Sequence, residues 1–166
     1  LEEGSTFLGA VKRITPFNDH AAGGLKTYNQ YGPPTPGFIE QVYDIVPLAD
    51  KQGRTLVMLQ NRNKDRAVSI EWAPNELPFF TLWKNTVAEK DGCVTGLEPG
   101  TNFPYNRRIE RGFGRVPKLA PGATRHAALD FTILIGPDPV KQTADRITAI
   151  QADRKPEVID KPEAKE

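Results

Sequence analysis

The sequence predicts an all-β protein of antiparallel strands, finished by a short C-terminal helix and a tail. Three observations carry this. Apolar and polar residues alternate over Val68-Ser69-Ile70-Glu71-Trp72 and over Leu129-Asp130-Phe131-Thr132-Ile133, the period of two that a half-buried strand requires. Clusters of Gly, Pro, Asn and Asp separate such runs, as turns demand. No extended helical periodicity precedes residue 138.

Taken in order, residues 5–11 read as a first strand, ended by Thr15-Pro16. Residues 20–36 form a long loop rich in Gly, Pro, Asn and Tyr, a composition shared by functional and disordered loops. Residues 38–48 are the next strand, and Lys51-Gln52-Gly53 turns it into residues 54–61, the two forming a hairpin. Asn63-Lys64-Asp65 turns again into residues 67–72, and residues 78–83 and 92–97 follow as strands. In the last of these, Val94 and Leu97 suit a strand that delivers Glu98 to a loop, because Pro99-Gly100 stops it. The alternating run around Phe131 closes the β region.

After Gly136 the character changes. Asp138-Pro139 fits an N-cap followed by Pro at the first helical position. Val140, Ala144, Ile147, Ala149 and Ile150 fall near one face of a helix over residues 139–153. From Arg154 onward Lys, Glu, Asp and Pro dominate, and a disordered tail is expected. The chain thus divides into a β portion, 1–136, and a tail, 137–166.

Composition excludes several functions. The 166 residues fit one domain, and 38% hydrophobic with 26% charged is ordinary for a folded chain. A net charge of +1, with no basic block interleaved with aromatics, gives no case for nucleic acid. No run approaches the roughly 18 apolar residues of a membrane span. Cys93 is the single cysteine, so no intramolecular disulfide forms, and with two His a His/Cys zinc cluster is not available. Residue 1 is Leu rather than Met, so the chain is either processed or a fragment. A cytoplasmic setting is favoured, although the compartment is not legible without the natural N-terminus.

Three motifs carry a likeness. Gly96-Leu97-Glu98-Pro99, then Asn102-Phe103-Pro104, then the run from Gly114 to Gly122 resemble the C-terminal portion of the aldose 1-epimerase (galactose mutarotase) superfamily. Leu82-Trp83-Lys84-Asn85 together with Gly96-Leu97-Glu98-Pro99 is most similar to a poorly characterised aldose-epimerase-like branch. The resemblance runs from residue 1 to about 136. It implies an antiparallel β-sandwich, the C-terminal portion of a mutarotase-like supersandwich, in a chain about half a family member's length. It also implies that Glu98 is the catalytic base. The general acid would be a His in a His-x-Asn-like motif belonging to an absent N-terminal half or a companion chain. By the same likeness Glu40 stands near the sugar-binding Asp of the superfamily, and Gln41 stands where His is common.

Each candidate has a plainer reading beside the functional one. Glu98 could be a solvated loop-edge carboxylate, and Glu40 a solvent-facing residue of a one-sided sheet. Trp83 offers a sugar an apolar ring face, with Lys84 and Asn85 as polar donors, but core packing suits Trp as well. Arg107, Arg108, Arg111 and Arg115 could bind an anionic substituent, or be solvated or paired with neighbours such as Glu110. His20 and His126 match no motif and read as structural or surface residues.

Anomerisation requires a base for the C1 hydroxyl proton and an acid for the ring oxygen, with no metal or nucleotide cofactor. Glu98 supplies the base, while Glu40, Gln41, Trp83, Lys84, Asn102 and Arg108 are the candidate sugar contacts. The expected partner is a monosaccharide or sugar derivative. Two rivals stay open: a non-catalytic carbohydrate-binding sandwich, and a glycosidase-like pairing of Glu40 with Glu98, whose separation would set the stereochemistry.

Overall fold

The structure, a computed structural model, describes residues 1–164. The described residues form strands β1 (Thr6–Gly9), β2 (Val11–Pro16), β3 (Gln41–Pro47), β4 (Thr55–Gln60), β5 (Arg66–Trp72), β6 (Phe79–Asn85), β7 (Val94–Gly100), β8 (Leu129–Ile135) and β9 (Glu157–Val158). The helices are α1 (Asp19–Ala22), α2 (Arg107–Gly112) and α3 (Pro137–Gln151). A four-stranded sheet has the order β1-β4-β5-β8, and a five-stranded sheet the order β7-β6-β3-β2-β9. Every pairing is antiparallel except β2 with β9. This is an all-β sandwich with few, short helices.

Strand alternation builds the core. Phe7, Val57, Ile70 and Trp72 from the first sheet meet Ile14, Tyr43, Ile45, Phe80 and Leu82 from the second. Phe80 stacks between Phe7 and Trp72, with ring centroids 5.5 and 5.6 Å away. A second core lies on the outer side of the four-stranded sheet, where Leu56, Met58 and Leu134 take Val140, Ile147 and Ile150 of α3. Full burial of each such side chain is worth about 1.5–3 kcal/mol.

Several expectations need correction. Strands β3 and β4 do not form a hairpin: β3 pairs with β2 and β6, and β4 with β1 and β5. The Asp50–Arg54 turn is tight, with Gly53 N–H donating to Asp50 O at 3.1 Å, but it carries the chain from one sheet to the other. The chain also switches sheets at Ala10, which splits the first expected strand, and Thr15-Pro16 continues β2 rather than ending it. Strand β7 runs through Glu98 to Gly100, past the expected stop.

Helix α3 begins at Pro137, and its N-cap is Gly136 at φ 98°, not Asp138. Only Gly adopts that backbone without strain, and Asp138 instead favours the positive end of the helix dipole from within the first turn. The stretch beyond Arg154, expected to be disordered, pairs Glu157 and Val158 with Arg13 and Ile14. Glu163 then meets Arg115 at 2.7 Å and Arg13 at 3.5 Å. Backbone ladder bonds and ion pairs hold a segment that has little apolar surface to bury. Residues 165 and 166 of that expectation lie outside the described residues.

Candidate functional site

The five-stranded sheet sorts the predicted residues onto two faces. Glu98 on β7 pairs with Thr81 on β6, Thr81 with Asp44 on β3, and Asp44 with Thr15 on β2. Directly opposed residues share a face, so these four form one row across the sheet. In the adjacent row Trp83 pairs with Gly96 and Val42. Glu98, Thr81, Asp44 and Trp83 therefore look away from the sandwich core.

Glu98 lies on an edge strand and is exposed, yet partial desolvation pushes its carboxyl above the ordinary Glu value. The two facts are compatible because the side chain folds back along its own strand. A Cβ built on Gly96 would stand 2.2 Å from Glu98 Oε1. The carboxylate thus lies over bare glycine backbone, beside the position that faces Trp83. The indole N–H of Trp83 donates to Glu40 Oε2 at 2.7 Å, which places Glu40 at the same aromatic platform. His20 Nε2 lies 3.2 Å from Ile39 O, next to Glu40.

Lys84 and Gln41 lie on the opposite face and do not join Glu98. Lys84 is 4% exposed; its ammonium donates to Gln30 O at 2.8 Å and Thr27 O at 3.3 Å. Its nitrogen sits 5.1 Å from the Tyr31 ring centroid, and burial lowers its pKa to about 8. Tyr31 hydroxyl shares a 2.8 Å hydrogen bond with Thr95 on β7. Lys84 therefore ties the loop at residues 27–31 to β6, and Tyr31 ties that loop to β7. Gln41 Oε1 accepts from the Tyr43 hydroxyl at 3.1 Å. The physical reason is the pleat: neighbours in a strand point to opposite sides.

Asn102 lies in the turn after β7, half-buried, donating to Phe103 O at 2.7 Å and accepting from the Thr101 hydroxyl. Arg108 is exposed on α2. Arg115 is not free for an anion. Its guanidinium holds Glu110, which is 0% exposed, through contacts of 2.8 and 2.5 Å, and Glu163 at 2.7 Å. It also lies 4.1 Å from the centroid of Phe113 and 5.0 Å from that of Phe103.

Sequence reasoning missed Asp44. It is 2% exposed, and among the described residues neither carboxylate oxygen has a hydrogen-bond partner. Burial raises its pKa to about 7; Glu163 and Glu110 add to the rise, while Tyr105 and Arg115 oppose it. The available signal was an acid at the centre of the apolar strand Val42-Tyr43-Asp44-Ile45-Val46.

Cavities of about 540 and 520 Å³ lie elsewhere, beside the end of α3 and along β8. The Glu98 site is an open sheet surface: an exposed carboxylate over Gly96, which pairs with the position of an indole bonded to a second carboxylate. Fold and surface together define a class, the antiparallel β-sandwiches with a polar patch on the open face of one sheet.

Residues 1–133 match the family described as Domain of unknown function (DUF4432), and the chain belongs to that family. It is also similar to a solved structure, a "putative aldose 1-epimerase" from Klebsiella pneumoniae subsp. pneumoniae MGH 78578. Identity is 44% and the TM-score 0.97, over all of this chain and 43% of that one. The chain thus spans less than half the length of that relative. No curated protein matches the chain.

Proposed function

We propose that this chain carries the base-bearing part of a sugar mutarotase of the aldose 1-epimerase type. The observation that carries the reading is the shared sheet face of Glu98, Trp83 and Glu40. A pyranose laid on the indole would present its C1 hydroxyl to the Glu98 carboxylate. Glu98 takes that proton, the O–H electron pair left on the C1 oxygen forms the aldehyde C=O, and the C1 to ring-oxygen bond breaks as the ring oxygen receives a proton from a general acid. Rotation about C1–C2 and the reverse proton transfers close the other anomer. The raised pKa of Glu98, caused by partial desolvation, makes it a better proton acceptor.

The acid is assigned to a His outside this chain, as the family likeness implies. Lys84 and Gln41 are withdrawn from the sugar contacts because they face the core. Asn102 and Arg108 stay as rim candidates at the end of β7 and on α2. The test follows the optical rotation of freshly dissolved α-glucose and α-galactose, with the polypeptide that supplies the acid present. Glu98→Gln should abolish catalysed exchange while sugar binding survives. Undiminished exchange in that variant would remove Glu98 from the mechanism.

A further inference from the structure

We infer that Gly96 is a positioning residue for Glu98: the missing side chain is the seat on which the carboxylate folds back toward Trp83. The inference rests on the reading of Glu98 as base and supplies what that reading lacks, the room an exposed edge-strand acid needs to fold back toward the indole. A Cβ at position 96 would meet Glu98 Oε1 at 2.2 Å, Cδ at 3.0 Å and Cγ at 3.2 Å. All three contacts are with one side chain, so the space an alanine needs is the space the carboxylate occupies.

Gly96 does not have a positive φ, in contrast to Gly92 at φ 90°. Its backbone therefore admits any residue, and flexibility does not explain the glycine. What it provides is room. Residues two apart on a strand share a face about 7 Å apart, and Gly96 is directly opposite Trp83. Folding over Gly96 thus moves the Glu98 carboxylate from its own row, beside Thr81, into the row of the indole. There the indole is fixed from the other side by its 2.7 Å bond to Glu40. Extended outward instead, the same carboxylate would be fully solvated and one row away from the platform.

Gly96→Ala is the test, with Gly112→Ala as control because a Cβ there meets nothing within 4 Å. Carbon-13 NMR titration of the Glu98 carboxyl in the full chain should show its raised pKa falling toward the ordinary Glu value in Gly96→Ala and holding in Gly112→Ala. With sugar exchange measured as above, kcat should fall at least tenfold in Gly96→Ala while KM changes less than threefold.

In the unsubstituted chain, an NOE should join the Glu98 γ-protons to the Gly96 α-protons. A missing NOE, or a Glu98 titration indifferent to Gly96→Ala, would overturn the positioning role whether or not that variant folds well. If Gly96→Ala moves the titration but Glu98→Gln leaves exchange intact, the seat stands and the mutarotase reading falls, so the two failures are told apart.

Discussion

Asp44 is a buried acid without a hydrogen-bond partner among the described residues, and Asp44→Asn should change how stability depends on pH. Burial, with Glu163 and Glu110 nearby, lifts its folded pKa from 3.8 to about 7. Tyr105 is close enough to oppose that rise, and its hydroxyl donates to Phe17 O at 3.3 Å. The raised pKa fixes the sign. Below about pH 3.8 both folded and unfolded chains carry the proton, and its stabilising effect is fully present. Between 3.8 and 7 the unfolded chain loses the proton first, so stability falls as pH rises, at about 1.4 kcal/mol per unit. The whole window is worth about 4 kcal/mol, of which about 3 lies between pH 5 and 7.5. Denaturant unfolding of both chains at pH 5, 6, 7 and 7.5 measures it. The unsubstituted chain should lose about 3 kcal/mol relative to Asp44→Asn over that range. Parallel stability profiles would refute an unpartnered, protonated Asp44 beneath Tyr105 and the C-terminal segment.

Two further outcomes concern buried charge. Glu110→Ala removes the buried carboxylate paired with Arg115 and strips the Phe103 N–H of its 3.1 Å acceptor; urea unfolding should show a loss of about 3–5 kcal/mol. Lys84 is the reverse case to Asp44. With its pKa lowered to about 8, the folded chain releases the proton before the unfolded chain does, so stability should rise by about 3 kcal/mol from pH 8 to 10.5. Lys84→Met should lack that rise in pH-dependent thermal melts, and a rise that persists would assign it to another group.

Much of the fold was legible because it depends on period alone. Val68, Ile70 and Trp72 alternate and are found on β5 with Ile70 and Trp72 in the core. Val140, Ala144, Ile147 and Ile150 of α3 pack where their 3.6-residue spacing directs them, while Ala149 is exposed. Pairing was not legible, because the turn at Lys51-Gln52-Gly53 looks the same whether the next strand joins its neighbour or crosses to the other sheet. The row Leu129, Phe131, Ile133 reads as a buried face, yet Ile133 is 80% exposed. β8 is an edge strand, and alternation does not say whether another layer lies opposite.

The candidate site was legible only in part, and Trp83-Lys84 shows why. Adjacent in sequence, the two side chains stand on opposite faces of β6, one at the open platform and one tied to backbone carbonyls in the interior. A motif read as a string merges them; the pleat separates them. The same pleat brings together residues that no string unites, since Glu98, Thr81, Asp44 and Thr15 come from four strands. The surface holding Glu98 is therefore set by register, and the register of β7 is held from beneath. Thr95 donates to Trp83 O at 2.5 Å and bonds Tyr31, whose ring packs under the Lys84 ammonium. Loss of Lys84 should reach Glu98 through that edge strand rather than through any shared contact with sugar. In the sequence the lysine looks like a ligand because it adjoins the indole; in the fold it is the support on which the carboxylate's strand rests.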